Sequence, residues 1–498
     1  MTSLPPPAAE PASGATVLAL DLGTSHVKAA LIDASGRVRS EAFSPLTTHR
    51  GPSGSMRQRT EDWEAAVIAV LSEVRGAPRR PVALAVTGQM QDLILLDAAG
   101  EPTHPVILYS DTAAEPELAD LLTARPDWAA RLLLAPGPDA IPPKLLRLAH
   151  TAPEALREAE RVLFSASGWL CFALTGRAVC DRLTASTTSA YFVRTRDWFP
   201  FGPAFDSLAF PVLTEPGGVG RVTAAAARRF ELPEGLPVVT ALGDAGAATD
   251  GMVGSAPGSL YLHLGTTGWV AYVDPVPAEA LPLPSETGRP GTHHRLAHPS
   301  GHLALARLPE AGEALERARR VHLGLGEPHS AEAHAAAEAA LARALRAENA
   351  GADAGTGAAP DMNVSAAQHA DPDRTRPVSP APASDPGSDM GPDPASDPAP
   401  APAEEHQPAA SEGDRAYLAA VRSLAAEVRE LLLRLGARPE RLPATGGVVR
   451  SALVRRVLAE ELGIPVELIP EAEAGLRSCA RTAFDALGLP HTIAPLVC

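Results

Sequence analysis

LALDLGTSHVKAAL (Leu18–Leu31) and YLHLGTTGWVAYV (Tyr261–Val273) stand roughly 240 residues apart and share one plan. Each sets an apolar run suited to a buried strand before Leu-Gly-Thr, a small polar residue after it, and a second strand beyond. The glycine permits a tight turn between the two strands. Two hairpins of one type suggest two related domains facing each other; a chance match of short segments is the competing explanation.

Outward from the first hairpin, Val17–Asp21 and Val27–Asp33 are its strands and Ser35-Gly36 turns the chain. A helix is expected near Glu61–Val74, a buried strand over Pro81–Gly88, and further strands at LILLD and VILY. Residues 155–198 look helical, then polar and turn-rich around ALTGRAVCDRLTAST. Outward from the second hairpin, LPVVTALGD (Leu236–Asp244) is a strand leading into a small-residue helix. Near the end come a helix over Asp414–Leu435 with Asp414 as its cap and Gly436 as its stop, then PATGG, a helix near Ala452–Leu462, the strand VELI and a last helix. Strands alternating with helices make this an α/β fold. The expected division is a disordered Pro/Ala tail at 1–15, one domain over 16–240, and a second over 241–498 interrupted at about 350–413. That interruption is rich in Pro, Ala and Asp and carries about 11 acidic against 2 basic side chains. It cannot bury enough apolar surface to offset its ordering entropy and is expected to be a disordered insert.

Composition narrows the function classes. A net charge of -16 opposes a nucleic-acid surface, because a phosphate backbone attracts the opposite sign. No secretory leader is read at the N-terminus and no apolar run spans a membrane, so the expected location is cytoplasmic. Cys171, Cys180, Cys479 and Cys498 lack metal-ligand spacing and suit a reducing compartment.

Five segments carry chemistry. At Asp21-Leu22-Gly23-Thr24-Ser25, backbone N–H groups and two hydroxyls can point at phosphate oxygens, Lys28 can add positive charge, and Asp21 can hold Mg²⁺; an ordinary hairpin with a turn aspartate is the other reading. Gly265-Thr266-Thr267 offers a second hydroxyl-rich turn, and Gly446-Gly447 a bare backbone for an adenosine face or a plain connection. Asp244, ending a buried strand, suits a general base on a hydroxyl nucleophile or a helix cap. Gln89, Met90 and Gln91 follow another buried strand and, with Asp111, can meet polyol hydroxyls or serve as surface polarity. Neither a Walker loop nor a dinucleotide fingerprint occurs.

In order, DLGTS…K, TEDW, VTGQM, ILYSD, PPKLL, ALTG…D…AS, ALGDA, LGTTG and PATGG resemble the FGGY carbohydrate kinases, most closely the xylulokinase-like branch. The likeness covers about two-thirds of the chain, over residues 16–273 and 414–482. It implies two actin-like (ribonuclease H-like) domains with ATP and sugar in the interdomain cleft. Asp244 then matches the general base and Asp21 the support of Mg-ATP. Gly23, Thr24, Ser25 and Lys28 match the first phosphate loop, Gly265, Thr266 and Thr267 the second, and Gly446-Gly447 the adenosine motif. Met90 and Gln91 fall where the sugar is contacted. The implied activity is ATP-dependent phosphorylation of a ketose, polyol or sugar acid, D-xylulose-like first, and a catalytically impaired binding member is the alternative. The partner is a small sugar, with no nucleic acid or membrane, and a homodimer is compatible with it. The branch pattern is GQMHG, whereas Gln91 and Asp92 stand in its last two places. Ala245 replaces an Asn after the base, and Thr112-Ala113 replace an Arg-Thr. A GER-x-P-type segment is missing, with a faint echo at AGEALERARRV, so cleft closure is expected to differ.

Overall fold

Two six-stranded sheets organise the described part of the chain, and they repeat one strand order. The computed structural model describes residues 14–74, 80–202, 205–288, 291–325, 330–355, 409–469 and 473–497. In the first sheet β1 (Thr16–Leu22), β2 (His26–Asp33), β3 (Val38–Pro45), β4 (Ala83–Gly88), β5 (Gly217–Arg221) and β6 (Pro237–Thr240) run in the order β5-β6-β4-β1-β2-β3. In the second, β7 (Leu260–Leu264), β8 (Gly268–Asp274), β9 (His294–His298), β10 (Gly301–Leu308), β11 (Leu442–Thr445) and β12 (Val466–Leu468) run β9-β10-β8-β7-β11-β12. The segment β3-β2-β1-β4-β6 therefore matches β10-β8-β7-β11-β12. In each, an antiparallel three-strand meander is extended by two parallel strands. The hairpins that open the sequence reading are β1–β2 and β7–β8, so the internal likeness is structural duplication of an α/β layer.

Burial explains the strand composition. β4 is buried along its whole length because it is a central parallel strand, which removes the polar alternation of a half-exposed one. α1 (Asp244–Val253) leaves the first sheet, and α2 (Ala474–Ala486) returns after the second. Leu476, Cys479, Ala480, Ala483 and Phe484 of α2 pack with Val17, Ala19, Ala83, Ala85 and Val239 on one face of the first sheet. The C-terminal helix thus completes the core under the first hairpin.

Several local expectations are corrected. Within 155–198, Arg161–Ser165 is a strand, paired with the strand Met90–Leu96. Short apolar runs buried on both faces carry no period that separates strand from helix. The helix expected from Asp414 starts at Glu412, and Ser411 is the residue that caps it. Ser411 Oγ accepts the Asp414 N–H at 3.0 Å while the Asp414 carboxylate accepts the Ser411 N–H at 2.9 Å, a reciprocal capping box. VILY contributes a strand only at Val106–Ile107.

The described chain divides into two compact units, Met1–Ala318 with Ala419–Cys498, and Arg319–Leu418. Both six-stranded sheets belong to the first. Within the second, Arg343 binds Asp414 through both guanidinium branches at 2.8 and 2.9 Å, which with Ser411 holds the Asp414 carboxyl down at about 2. The helices at the rim of the expected insert run to Gly355 and from Glu412, so its outer residues are helical. The expected disorder at 356–408 and in the tail at 1–13 lies outside the described residues.

Candidate functional site

Asp21, Gly88 and Asp244 emerge at the same ends of the three neighbouring parallel strands β1, β4 and β6. In open α/β sheets that edge, outside the carboxyl ends of the strands, is where ligands collect. Asp21 faces Lys28 across the β1–β2 ladder and Thr87 across β1–β4. Thr87 donates its hydroxyl to the Leu242 carbonyl at 2.7 Å, tying the end of β4 to the turn that carries Asp244. The two carboxylates feel one another. Burial, then the Asp21 charge, then Asp181 push Asp244 up to about 7, against the Ala245 N–H that donates to Oδ1 at 2.7 Å. Burial also pushes Asp21 up to about 6; Lys28 opposes the rise and Glu473 adds to it. A carboxylate poised near neutrality is what a general base needs.

Asp21 also fits a cation. Its Oδ1 is buried and has no hydrogen-bond partner, which is costly unless a ligand supplies the counter-charge. Among the described residues no three metal-binding side chains cluster. Mg²⁺ asks for less: it is commonly held by one or two carboxylates, with substrate phosphates and water completing the shell.

The first hydroxyl-rich turn is braced from below. Thr24 donates its hydroxyl to Gln89 Oε1 at 2.8 Å, and Gln89 Nε2 donates to Gln58 Oε1 at 3.2 Å. Gln58 in turn donates to the Thr24 carbonyl at 2.7 Å and accepts from the Trp63 indole at 2.8 Å. Gln89, read from the sequence as a sugar contact, is buried and devoted to this network. Gln58 was not legible, since a lone polar residue ending a three-residue strand gives no signal. Gly23 closes the turn by donating to the His26 carbonyl at 3.1 Å, leaving Ser25 and Lys28 exposed.

The second turn is clamped on both sides. Gly265 donates its N–H to the Thr267 carbonyl at 2.9 Å, and the N–H groups of Gly312 and Glu313 both donate to the Thr266 carbonyl at 3.1 Å. Gly312 and Glu313 lie in AGEALERARRV, so the faint echo noted in the sequence holds this turn. Gly446, at φ 101°, has no room for a side chain: a Cβ would stand 2.3 Å from the Leu264 carbonyl oxygen. The Gly446 backbone is thereby brought against the strand end that precedes Gly265, with Gly447, Thr266 and Thr267 exposed beside it.

Around Asp244, Met90 lies against Gly243, occupying the space that a side chain there would take. Gln91 donates to the carbonyl and carboxylate of Asp139, each at 3.1 Å, and adopts a left-handed backbone at φ 64°. Asp111 is fully buried. Its carboxylate accepts the Met56 N–H at 2.6 Å, the Ala113 N–H at 3.1 Å and the Arg57 guanidinium, so it anchors two loops. Asp181 caps the helix Arg182–Thr187 and accepts from the Thr184 N–H and hydroxyl at 3.0 and 2.5 Å. It is buried and contributes to the raised pKa of Asp244.

Asp92 is the unusual group. It is wholly buried, its Oδ1 accepts the Tyr109 N–H at 3.2 Å, and its Oδ2 has no partner. Burial raises its pKa well above 3.8, with Lys144 opposing and Asp244 adding to the rise. Between the unfolded and folded pKa the native state carries the extra proton, so this group costs stability as pH rises. Asp92→Asn should therefore melt a few degrees above the parent at pH 8 and by a smaller margin at pH 5. Differential scanning fluorimetry across that range measures it; a margin that grows toward acid pH would contradict the neutral, buried acid.

Comparison with known proteins follows this geometry. Residues 16–251 match the model of the FGGY family of carbohydrate kinases, N-terminal domain, and residues 260–484 match its C-terminal domain. A protein named xylulose kinase from Streptomyces coelicolor is 31% identical over 264 residues, covering 52% of this chain and 54% of that protein. One named autoinducer-2 kinase from Klebsiella pneumoniae is 28% identical over 243 residues, 46% of this chain and 45% of that protein. The chain thus spans about half the length of the curated relatives it matches. The solved structure described as xylulose kinase from Rhodospirillum rubrum superposes with a TM-score of 0.71 at 22% identity, over 95% of this chain and 90% of that one. That likeness extends the shared fold across nearly the whole chain.

Proposed function

The chain belongs to the FGGY family of carbohydrate kinases, and we propose that it transfers the γ-phosphoryl group of ATP to a hydroxyl of a ketose, polyol or sugar acid. The observation that carries this reading is the pairing of Asp244 and Asp21 at one sheet edge, each carboxyl raised toward neutrality by burial and by its neighbours. The names of the relatives put a xylulose-like ketose first among acceptors. The division near residue 240, with one sheet on either side, is part of the proposal.

In this mechanism Asp244 removes the proton as the sugar oxygen attacks the γ-phosphorus; the P–O bond to ADP breaks and the proton remains on the carboxyl until solvent takes it. Mg²⁺, when bound, would neutralise charge between the outer phosphates, and Asp21 is the group that would hold it. Ser25, Lys28, Thr266 and Thr267 supply side-chain donors for phosphoryl oxygens from two turns, the Thr24 hydroxyl being held by Gln89, and Gly446-Gly447 give bare backbone for the adenosine. Lys28 also steadies the Asp21 charge across the ladder. No covalent intermediate is needed, so positioning and charge stabilisation account for most of the rate.

The test is ADP release from the full chain with Mg-ATP across matched ketoses, polyols and aldonates. Acceptor-dependent ADP, at least about tenfold over the acceptor-free rate, is the expected result. Release that ignores every acceptor would point to an ATPase and overturn the proposal.

A further inference from the structure

A cavity of about 210 Å³ is lined by Gln91, Asp139, His294, Arg295 and Arg307, together with Arg131 and Arg194. Met90 packs on Gly243, the residue before Asp244, and Gln91, next along the strand, lines the cavity. The volume is below the roughly 300–1,000 Å³ of pockets that enclose a whole drug-sized ligand, so it suits one end of a small molecule.

The charge of the walls is lopsided. Arg131 is answered by Asp197 at 3.3 Å and Arg194 by Glu286 at 2.5 Å. Among the described residues, Arg295 has only the neutral acceptor His293 Nε2 at 3.4 Å, the Arg307 side chain has no partner, and neither forms an ion pair. Arg295 is half-buried, and its desolvation lowers its pKa with only the Asp274 charge opposing. His294 is depressed to about 4 by burial and then by the Arg307 charge, so at neutral pH it is an uncharged donor or acceptor beside that guanidinium. Asp139 is the one acid in the wall. Its carboxylate is engaged by the Gln91 amide, and Lys144, buried behind it, shares its field. Arg295 is partly desolvated and Arg307 is exposed, and guanidinium groups without carboxylates favour a planar anion that accepts two N–H bonds. Strain gathers here as well. Gln91 at φ 64° and Ser189 at φ 54° both line the cavity, a backbone region that non-glycine residues adopt only where the surroundings hold them.

We infer that this cavity receives a carboxylate at the end of the acceptor remote from the transferred hydroxyl, so that the chain acts on a sugar acid of the aldonate class. The carboxylates Asp21, Asp181 and Asp244 belong to the proposed transfer centre, whereas Arg295 and Arg307 line the cavity and form no ion pair among the described residues. A linear polyol acid satisfies both ends; a neutral ketose of equal length leaves the guanidinium end unanswered. The inference rests on the phosphotransfer reading of the same site.

The experiment compares an aldonate with the polyol of the same chain length and stereochemistry, and with that sugar's phosphate ester, as acceptors for the full chain and for Arg307→Gln and Arg307→Lys. The expected result is an acid-over-polyol preference in kcat/KM of at least about tenfold. That preference should fall about tenfold in Arg307→Gln through KM for the acid, and be partly kept in Arg307→Lys. Equal or better use of the neutral polyol, or a preference unmoved by Arg307→Gln, overturns it. A phosphate ester used better than the aldonate overturns the carboxylate assignment. If no acceptor turns over, the kinase reading has failed separately, and calorimetry with the aldonate then decides: binding weakened in Arg307→Gln supports the anion site, and its absence from the parent overturns it.

Discussion

Asp244→Asn should lower kcat by about a thousandfold while leaving nucleotide affinity within a few-fold of the parent, the scale expected when a positioned base is removed. An amide of nearly the same shape keeps the N-terminal turn of α1 and its packing, so the loss reports proton transfer. The pH dependence supplies a second readout. Asp244 works deprotonated, and burial with Asp21 and Asp181 holds it at about 7. Activity of the parent should rise as pH climbs through neutrality and level above it, whereas an ordinary aspartate would already be flat by pH 5. Asp181→Asn removes one neighbouring charge and should move that limb toward acid pH. Steady-state kinetics between pH 5 and 9, with nucleotide binding followed by calorimetry, measures both effects. An Asp244→Asn variant within tenfold of the parent rate, or a profile already flat at pH 5.5, would remove the base assignment.

The strand-rich frame of the first sheet was readable because its cues are local. A buried run, Leu-Gly-Thr and a second run define each hairpin, and the repeat of that pattern suggests two related domains, while the strand order the two sheets share is seen only in the structure. Asp21 and Asp244 were readable for the same reason, as each ends an apolar run at a turn. What the sequence left hidden depends on contacts between distant segments. Gln89 reads as a polar residue after a strand, and only the approach of Thr24 and Gln58 shows that it braces the first hydroxyl-rich turn. Asp111 looks free until Met56 and Arg57 arrive from 55 and 54 residues away. The clamp on Thr266 by Gly312 and Glu313 was nearly missed, because a backbone N–H that satisfies a carbonyl leaves no residue-type signature. Arg307 sits on a strand whose pattern says only exposed charge; its place in a cavity with His294 follows from the pairing of β9 with β10.

The same reasoning predicts the largest loss of stability at Asp250, which lies in α1 beyond the base. Its carboxylate is buried and accepts from Ser478 Oγ at 2.6 Å, from Ser255 Oγ and from the Arg481 guanidinium, while Arg481 also reaches the Asp250 carbonyl at 3.3 Å. Ser478 and Arg481 belong to α2, whose other face completes the core under β1. This cluster therefore couples the helix that begins with Asp244 to the helix that supports the strand ending at Asp21. Asp250→Ala removes that buried acceptor from two hydroxyls and from a partly buried guanidinium. Such truncations cost about 3–5 kcal/mol, more than the intact pair contributes over an apolar substitute. The midpoint of urea denaturation should fall accordingly, and kcat should fall about tenfold even at temperatures where the variant is folded, because a shift of about 1 Å between the two carboxylates misplaces the base. Pairing the change with Arg481→Met separates the two roles. If α1 and α2 are held by this contact, the double variant should recover part of the stability lost by Asp250→Ala, since the stranded charge is gone, while kcat stays low because the alignment is not rebuilt. Additive losses of stability in the double variant, or kcat at the parent level in Asp250→Ala, would show that the base is positioned by other contacts.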